Sequence, residues 1–375
     1  GIRDVLLSLV GSEMCIRDSG HSVRTASGLV RPELGAVPGG LAGAATEASH
    51  GKDTPTGHWE LTGVPVPWTW HVFPKTDPAI PPAITDAMIA RADLPGTLCN
   101  MHAAGIPVIA EYGAEHLRTG KPIVYTSADS VMQIAAHEDA FGLERLYALC
   151  EITAEIVHPM KVGRVIARPF VGAGPADFAR TPHRRDFALA PPEPTLLDRV
   201  VAAGGRTHAI GKIADIFAHR GISTVAKGPD DNALLDATCA GLEAAGPGDL
   251  VIANYVDFDT LYGHPRDVTG YAAALEAFDT RIPELFARLQ PGDLMILTAD
   301  HGNDPTWHGS DHTRERVPVL GTGPGFKPRD LGLIAFWDVG ETLAAHLGLD
   351  PGRHGRNLLA TGATKRTVEL SLIHI

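Results

Sequence analysis

Through the second half of the chain, short apolar runs alternate with segments whose apolar residues recur at helical spacing. From about Asp186, "HAIGKIADIF" leads into a helix-like stretch ending "DATCAGLEAAG". The run "DLVIANYVDFD" precedes "GYAAALEAFDTRIPELFARL", and "DLMILTADHG" and "VPVLGTGPG" precede a last helix, "DVGETLAAHLGL". Strand-length runs separated by amphipathic helices imply an α/β fold: a mostly parallel sheet with helices on both faces. Pro283 is expected to kink or divide the long helix before "DLMILTADHG", because its ring removes a donor and crowds the preceding turn. Ligands of such sheets gather beyond the carboxyl ends of the strands.

The middle of the chain has a different texture. Pro-rich stretches, "FPKTDPAIPPAIT" and "LAPPEPT", begin near residues 73 and 189. Between them lie "KPIVYTSADSV", a helix at about 143–157 and "GRVIARPF", which read as a smaller α/β domain inserted into the sheet domain. The expected division is a first core part over 20–72, the inserted domain over 73–188 and the second core part over 189–369. Leu143, Leu146, Cys150, Thr153 and Val157 form a helical stripe, which makes Cys150 a core thiol.

The two ends read as foreign. "GIRDVLLSLVGSEMCIRDS" has an apolar core of only Val5 to Val10, shorter than the roughly 7–15 residues of a secretory signal, and resembles translated adapter sequence. "LSLIHI", from Leu370, resembles the same source. Segments 1–19 and 370–375 are therefore expected to be non-native, with the native chain starting near Gly20. A true edge strand at each end is the alternative.

Composition narrows the function. A formal charge of −12 argues against broad binding to nucleic acid or anionic membranes, and 44% hydrophobic residues suffice for real cores. No apolar run reaches the roughly 20 residues of a membrane-spanning helix. Cys15, Cys99, Cys150 and Cys239 are far apart with no CxxC, so a cytoplasmic protein without a disulfide framework is expected, monomeric or weakly oligomeric.

The candidate chemistry sits at strand ends. Asp259 and His264 lie in "DFDTLYGH", and Asp300, His301 and His312 in "TADHGNDPTWHGSDH". Carboxylates mixed with imidazoles suit Mn²⁺ or Zn²⁺ better than Ca²⁺, and the set is too large for one cation with an open position. Two cations roughly 3.5–4 Å apart, as used for in-line phosphoryl transfer, would account for it. The bland alternative is a solvated loop capping the strands. Asp257 is a weaker candidate ligand, Asp304 and Asp311 would orient the loop, and His308 has no partner at a telling spacing. In "GKDTPTGHWE", Thr54 is a candidate acceptor, since a bound cation lowers a hydroxyl pKa.

"GKDTPTGHWELTGVPV", "YTSADSVMQIAAHE", "GRVIARPF", "GKIADI", "NYVDFDTLYGHPRDVTGYAAALEAFD" and "TADHGNDPTW…DHTRERVPVL" together resemble the phosphopentomutase family of the alkaline phosphatase superfamily. The resemblance implies an alkaline-phosphatase-like core with a cap domain and two divalent cations, usually Mn²⁺. One cation would be held by Asp259, His264 and His312, the other by Asp300, His301 and Thr54. It also implies substrate contacts from Ser127, Asp129, Val131, Arg164, Ile166, Arg180 and Lys212. The implied reaction interconverts ribose or deoxyribose 1-phosphate and 5-phosphate, in nucleoside salvage, through phospho-Thr54 and a sugar 1,5-bisphosphate. A sugar bisphosphate activator would load Thr54. A metal-dependent phosphatase or phosphoglycerate mutase of the same superfamily is the alternative, against which "YTSADSV" and "GRVIARPF" argue. The family opens with a strand ending in D-S-x-G-I-G, whose aspartate joins the Thr54-side cation. Asp18 in "IRDSG" mimics it superficially, Met14 to Arg17 being no central strand. A missing first strand, a weakly held Thr54-side cation and poor turnover are thus expected.

Overall fold

The computed structural model describes residues 4–9, 40–323 and 327–360 of the 375-residue chain. In chain order its strands are β1 (Asp4–Leu9), β2 (Leu41–Thr46), β3 (Leu98–His102), β4 (Ile123–Thr126), β5 (Val131–His137), β6 (Arg164–Val171) and β7 (Ala179–Arg180). There follow β8 (Arg185–Ala188), β9 (Thr207–Ile210), β10 (Thr224–Ala226), β11 (Leu250–Tyr255), β12 (Leu294–Thr298), β13 (Val317–Thr322) and β14 (Arg329–Ala335). Eight of them form one sheet, in the order β10-β9-β11-β1-β12-β13-β2-β14. Its pairings are parallel except those of β13 with β12 and with β2.

The period of two along each strand divides the core between two faces. Leu250, Ile252, Leu294 and Ile296 join Trp59, Leu197, Phe217 and Leu343 on one face. Val251, Ala253, Tyr255, Met295 and Leu297 join Leu235, Leu242, Phe278 and Leu285 on the other. The helices Thr54–Leu61, Leu196–Ala202 and Phe336–His346 thus cover one face, and Asp231–Ala244 and Val268–Phe286 the other. Burial on both faces explains why the central strands read as unbroken apolar runs. Pro283 does not divide its helix. It lies in the last turn, and the helix runs on to Phe286; Pro283 lacks its own N–H donor, but its carbonyl still accepts from Ala287 N.

One expectation needs correction. Asp4–Leu9 is a central strand, neither absent nor at an edge: it pairs in parallel with β11, Leu9 opposite Tyr255, and with β12, Ser8 opposite Thr298. The slot between two parallel strands asks for a short apolar run, and "DVLLSL" supplies Val5, Leu6, Leu7 and Leu9. Six residues are an ordinary strand length. Met14 to Arg17, Asp18 and the tail from Leu370 lie outside the described residues.

The second sheet is built from β3 to β8. Its apolar core packs the helix Leu143–Val157, with Leu146, Cys150 and Val157 buried, and the helix Pro82–Ala92 on one face. The helix Gly105–Thr119 lies on the other. Among the described residues no helix is long and apolar enough to cross a membrane, and Cys99, Cys150 and Cys239 are free thiols.

Candidate metal centre

β11 and β12 end side by side, separated by β1, and their C-terminal tips carry the acidic and imidazole groups. Beyond β11 the chain turns through the π-helical segment Phe258–Gly263, which places Asp259 at its start and His264 just past its end. Beyond β12 come Asp300 and His301, both fully buried, and the loop that returns to β13 brings back His312. Asp259, His264 and His312 converge so that one ligand atom from each lies within 4.8 Å of the others. His264 Nε2 is 3.2 Å from Asp259 Oδ2, and His312 Nε2 is 3.2 Å from Asp259 Oδ1.

The backbone sets the tautomers. His264 Nδ1 donates to Ser310 O (2.6 Å), His312 Nδ1 to Lys52 O (2.8 Å) and His301 Nδ1 to Gly302 O (3.1 Å). These assignments follow from the partners, all carbonyls. Each Nε2 is thereby left as a lone pair aimed into the cluster, the arrangement a metal-ligating histidine adopts. His312 Nε2 is buried with no hydrogen-bond partner among the described residues. A lone pair facing a carboxylate oxygen is repulsive unless a proton or a cation stands between them, and nitrogen–oxygen donor sets of this kind suit first-row divalent ions. The residues present fit such an ion.

The electrostatics agree. Burial pushes the Asp259 carboxyl up, but contacts from His264 and His312 and the field of His301 outweigh it and hold the group well below the usual carboxylate range. The hydrogen bond to Asp259 raises His264. His312, which burial alone would lower, is also raised by Asp259. Burial lowers His301, against the opposing field of Asp300. Asp300 is pushed up by burial and brought below its ordinary value by His301 and His58.

Thr54 meets this cluster from the opposite side of the sequence. It is the first residue of the helix Thr54–Leu61, capped by Asp53, whose carboxylate accepts from Thr56 N (3.1 Å) and Thr56 Oγ1 (2.8 Å). Thr54 Oγ1 lies 3.3 Å from His301 Nε2, which is 3.5 Å from Asp300 Oδ2. His301 and His312 stack at 3.8 Å between ring centroids, so the two ligand groups are contiguous. All six residues expected in the core site are therefore brought together.

The weaker candidates sort cleanly. Asp257 Oδ2 accepts from Asp231 N (3.0 Å) and serves the start of a helix. Asp304 accepts from Thr306 within its own turn, Asp311 pairs with Lys52 at 2.8 Å, and exposed His308 lies beside Trp307.

On the second sheet, Ser127 and Asp129 lie in the β4–β5 turn, and Val131 opens β5 opposite Arg164. Arg164, Ile166 and Arg168 alternate along β6 and so share one face. Arg164 reaches Asp186 at 3.6 Å. Arg180, on β7, and the Tyr125 hydroxyl both lie close against Gly105. Exposed Lys212 precedes the short helix Ile213–Ile216. Partial desolvation lowers its ammonium pKa, Asp259 of the core cluster opposes this, and Arg184 and Arg164 of the second sheet add to it. Lys212 thus stands in the fields of both units.

Several residues escaped the sequence reading. Asn303 Nδ2 donates to Asp259 Oδ1 at 2.6 Å. Arg266 donates to Asn303 Oδ1 and to the carbonyls of Gly309 and Asp311, each at 2.5 Å, and so fastens the His312 loop. His58 lies between Thr54 and Asp300. Arg168 and Arg184 add charge beside Arg180. Only His58 left a sequence signal, its spacing of four residues from Thr54, which puts both on one helix face.

The metalloenzyme superfamily matches residues 39–351 of the chain. The phosphopentomutase of Chelativorans sp. (strain BNC1) is 59% identical over 329 residues, which covers 88% of this chain and 80% of that protein. The phosphopentomutase of Sinorhizobium medicae (strain WSM419) is 56% identical over 343 residues, 90% of this chain and 84% of that one. That of Agrobacterium fabrum (strain C58 / ATCC 33970) is 57% identical over 321 residues, with 85% and 79% covered.

Proposed function

The chain belongs to the metalloenzyme superfamily and, within it, to the phosphopentomutases, and from that premise we propose how its residues interconvert (deoxy)ribose 1-phosphate and 5-phosphate. The observation that carries the residue-level reading is the convergence of Thr54 Oγ1 on His301 Nε2 at 3.3 Å, beside the contiguous Asp259, His264 and His312. Thr54 is the phosphoryl carrier. Asp259, His264 and His312 would hold one divalent cation, and Asp300, His301 and the Thr54 oxygen the other; the mixed donors suit Mn²⁺ or Zn²⁺, and the family resemblance points to Mn²⁺. When bound, the cations lower the Thr54 hydroxyl pKa and offset charge on the phosphoryl oxygens.

The second-sheet unit acts as a cap. Arg164 and Arg180 grip the phosphate that is not in transfer by two-pronged hydrogen bonds, and Lys212 adds a point charge. Ser127 and Asp129 meet the sugar hydroxyls, with Val131 and Ile166 as apolar walls. Phospho-Thr54 gives its phosphoryl group to the free sugar hydroxyl, which loses its proton, and the Thr54 oxygen is freed. The resulting 1,5-bisphosphate reorients under the cap and returns its other phosphate to Thr54, leaving the isomeric monophosphate protonated at the oxygen it recovers. The helix N-terminus beneath Thr54 favours the phosphorylated state. Closing the cap keeps water from hydrolysing the phosphoenzyme. A sugar bisphosphate loads Thr54 initially. We place this activity in the cytoplasm, in nucleoside salvage, in a monomer or weak oligomer.

The test compares ribose 5-phosphate formation from ribose 1-phosphate with p-nitrophenyl phosphate hydrolysis, in Mn²⁺ with a bisphosphate activator. Mutase turnover that exceeds hydrolysis and disappears in Thr54→Ala is expected. Hydrolysis without isomerisation would assign the chain to the phosphatases of the superfamily.

A further inference from the structure

His58 lies wholly inside the protein, at 1% exposure, one turn along the helix from Thr54. Its Nδ1 is 2.9 Å from Thr54 O and 3.1 Å from Asp300 Oδ2. Both neighbours are acceptors only, so Nδ1 carries a proton; it donates to Thr54 O and stands at ion-pair distance from the Asp300 carboxylate. Nε2 is buried with no hydrogen-bond partner among the described residues, and the ring packs against Phe217 in a T-shape, 6.4 Å between centroids. A ring that occupied this place simply to fill space would not need its one buried N–H between these two oxygens. Gly57, the preceding residue, lets the helix press so close that a Cβ there would fall 1.7 Å from Asp300 O. Helix and strand end therefore touch at adjacent residues, by backbone contact at Gly57 and by the 3.1 Å approach of His58 Nδ1 to the Asp300 carboxylate.

We propose that His58 is a positioning residue for phosphoryl transfer: its Nδ1–H locks the helical turn that carries Thr54 onto Asp300 and so sets Thr54 Oγ1 against Asp300 and His301. The inference rests on the reading of Thr54 as phosphoryl carrier. His58 touches neither substrate nor the transferred group. It acts on two atoms that do, the Thr54 side chain through its own carbonyl and the Asp300 carboxylate directly. With Nδ1–H on Oδ2, the remaining Asp300 lone pairs are aimed by a fixed partner, as the outer hydrogen bonds of metal ligands do elsewhere. Loss of a single hydrogen bond to a charged group predicts an effect of about ten- to a hundredfold.

The experiment uses the full chain and the variants His58→Asn, His58→Gln and His58→Ala. The Asn amide N–H takes the place of Nδ1–H, whereas the Gln amide takes the place of Nε2. Four quantities are read: kcat and KM for ribose 1-phosphate, Thr54 phosphorylation by mass spectrometry after exposure to a sugar bisphosphate, Mn²⁺ affinity by titration, and Tm in chelator. In His58→Gln and His58→Ala, kcat and the Thr54 phosphorylation rate should fall about ten- to a hundredfold with KM within about twofold, and the weaker Mn²⁺ step should weaken further. His58→Asn should recover most of each loss. Equal losses in Asn and Gln variants that follow Tm would reduce His58 to a packing residue and overturn the proposal, as would a His58→Ala enzyme with parental kcat. Should His58→Ala not fold, the Asn–Gln comparison decides alone. A parent chain that never labels Thr54 defeats the functional reading instead, while the Mn²⁺ titration still tells whether His58 positions Asp300.

Discussion

The close approach of Gly57 to Asp300 gives the sharpest forecast. Gly57→Ala would put a methyl carbon 1.7 Å from Asp300 O, 2.6 Å from Asp300 C and 3.1 Å from Asp300 Cα. All three are backbone atoms of a fully buried residue just beyond β12, whose pairing to β1 runs to Thr298, so this strand end has little freedom to yield. Ordinary contact begins at 3.4 Å. The helix must therefore retreat by about 1.7 Å at this point, and Thr54, three residues away in the same turn, moves with it. Overpacking of this kind costs about 1–3 kcal/mol of stability. Its catalytic cost is larger relative to the tolerance, because a misplacement of about 1 Å at a reacting group can cost about a hundredfold in rate. The expected outcome is a folded protein with Tm lower by several degrees, kcat down at least about a hundredfold and KM little changed. Steady-state mutase kinetics and a thermal melt on the same preparation check it. Parental kcat in a well-folded Gly57→Ala protein would show that the helix-to-strand distance does not set the reactivity of Thr54, and the reasoning would fail.

Three further outcomes follow from the same geometry. In chelator, His264 and His312 sit above their ordinary pKa of about 6.5, so the stability their protonation contributes is present below that pH and is lost as pH rises through their folded values. A cation must displace those protons, so the Tm gain from Mn²⁺ should grow between about pH 5.5 and 8.5, and a flat or falling gain would refute the ligand assignment. Asn303→Ala removes the 2.6 Å donor to Asp259 and should weaken the tighter Mn²⁺ site about 10- to 100-fold, measured by calorimetric titration, with the other site nearly unchanged. Arg164→Ala and Arg180→Ala should each raise KM for ribose 1-phosphate about tenfold or more while Tm and Thr54 labelling hold. Parental KM in both would remove the second sheet from substrate binding.

The sequence already held a good part of this. The runs that became β11, β12 and β13 are legible because strands buried on both faces must be apolar throughout, and the candidate ligands Asp259 and Asp300 follow the first two closely. The order of motifs, from Thr54 through Arg164 to His312, is enough to mark the resemblance to the phosphopentomutases. Other elements left weaker traces. β2 reads "LAGAAT", whose small residues serve close strand packing, as at Gly43 against Gly332, and carry little hydrophobic signal. β1 carries no D-S-x-G-I-G motif to mark it, although its composition suits a central slot.

By itself the sequence determined the kinds of ligand atom, the strands they follow and the hydroxyl that could meet them, because those depend on local pattern and residue chemistry. Only the tertiary structure decided which of them touch. Thr54 and His301 are 247 positions apart, and they meet because β12 ends against a helix that Gly57 allows to come close. His58, Asn303 and Arg266 owe their importance to the same convergence. A polar side chain becomes a positioning group only when burial removes water as a competing partner, and burial belongs to the folded chain.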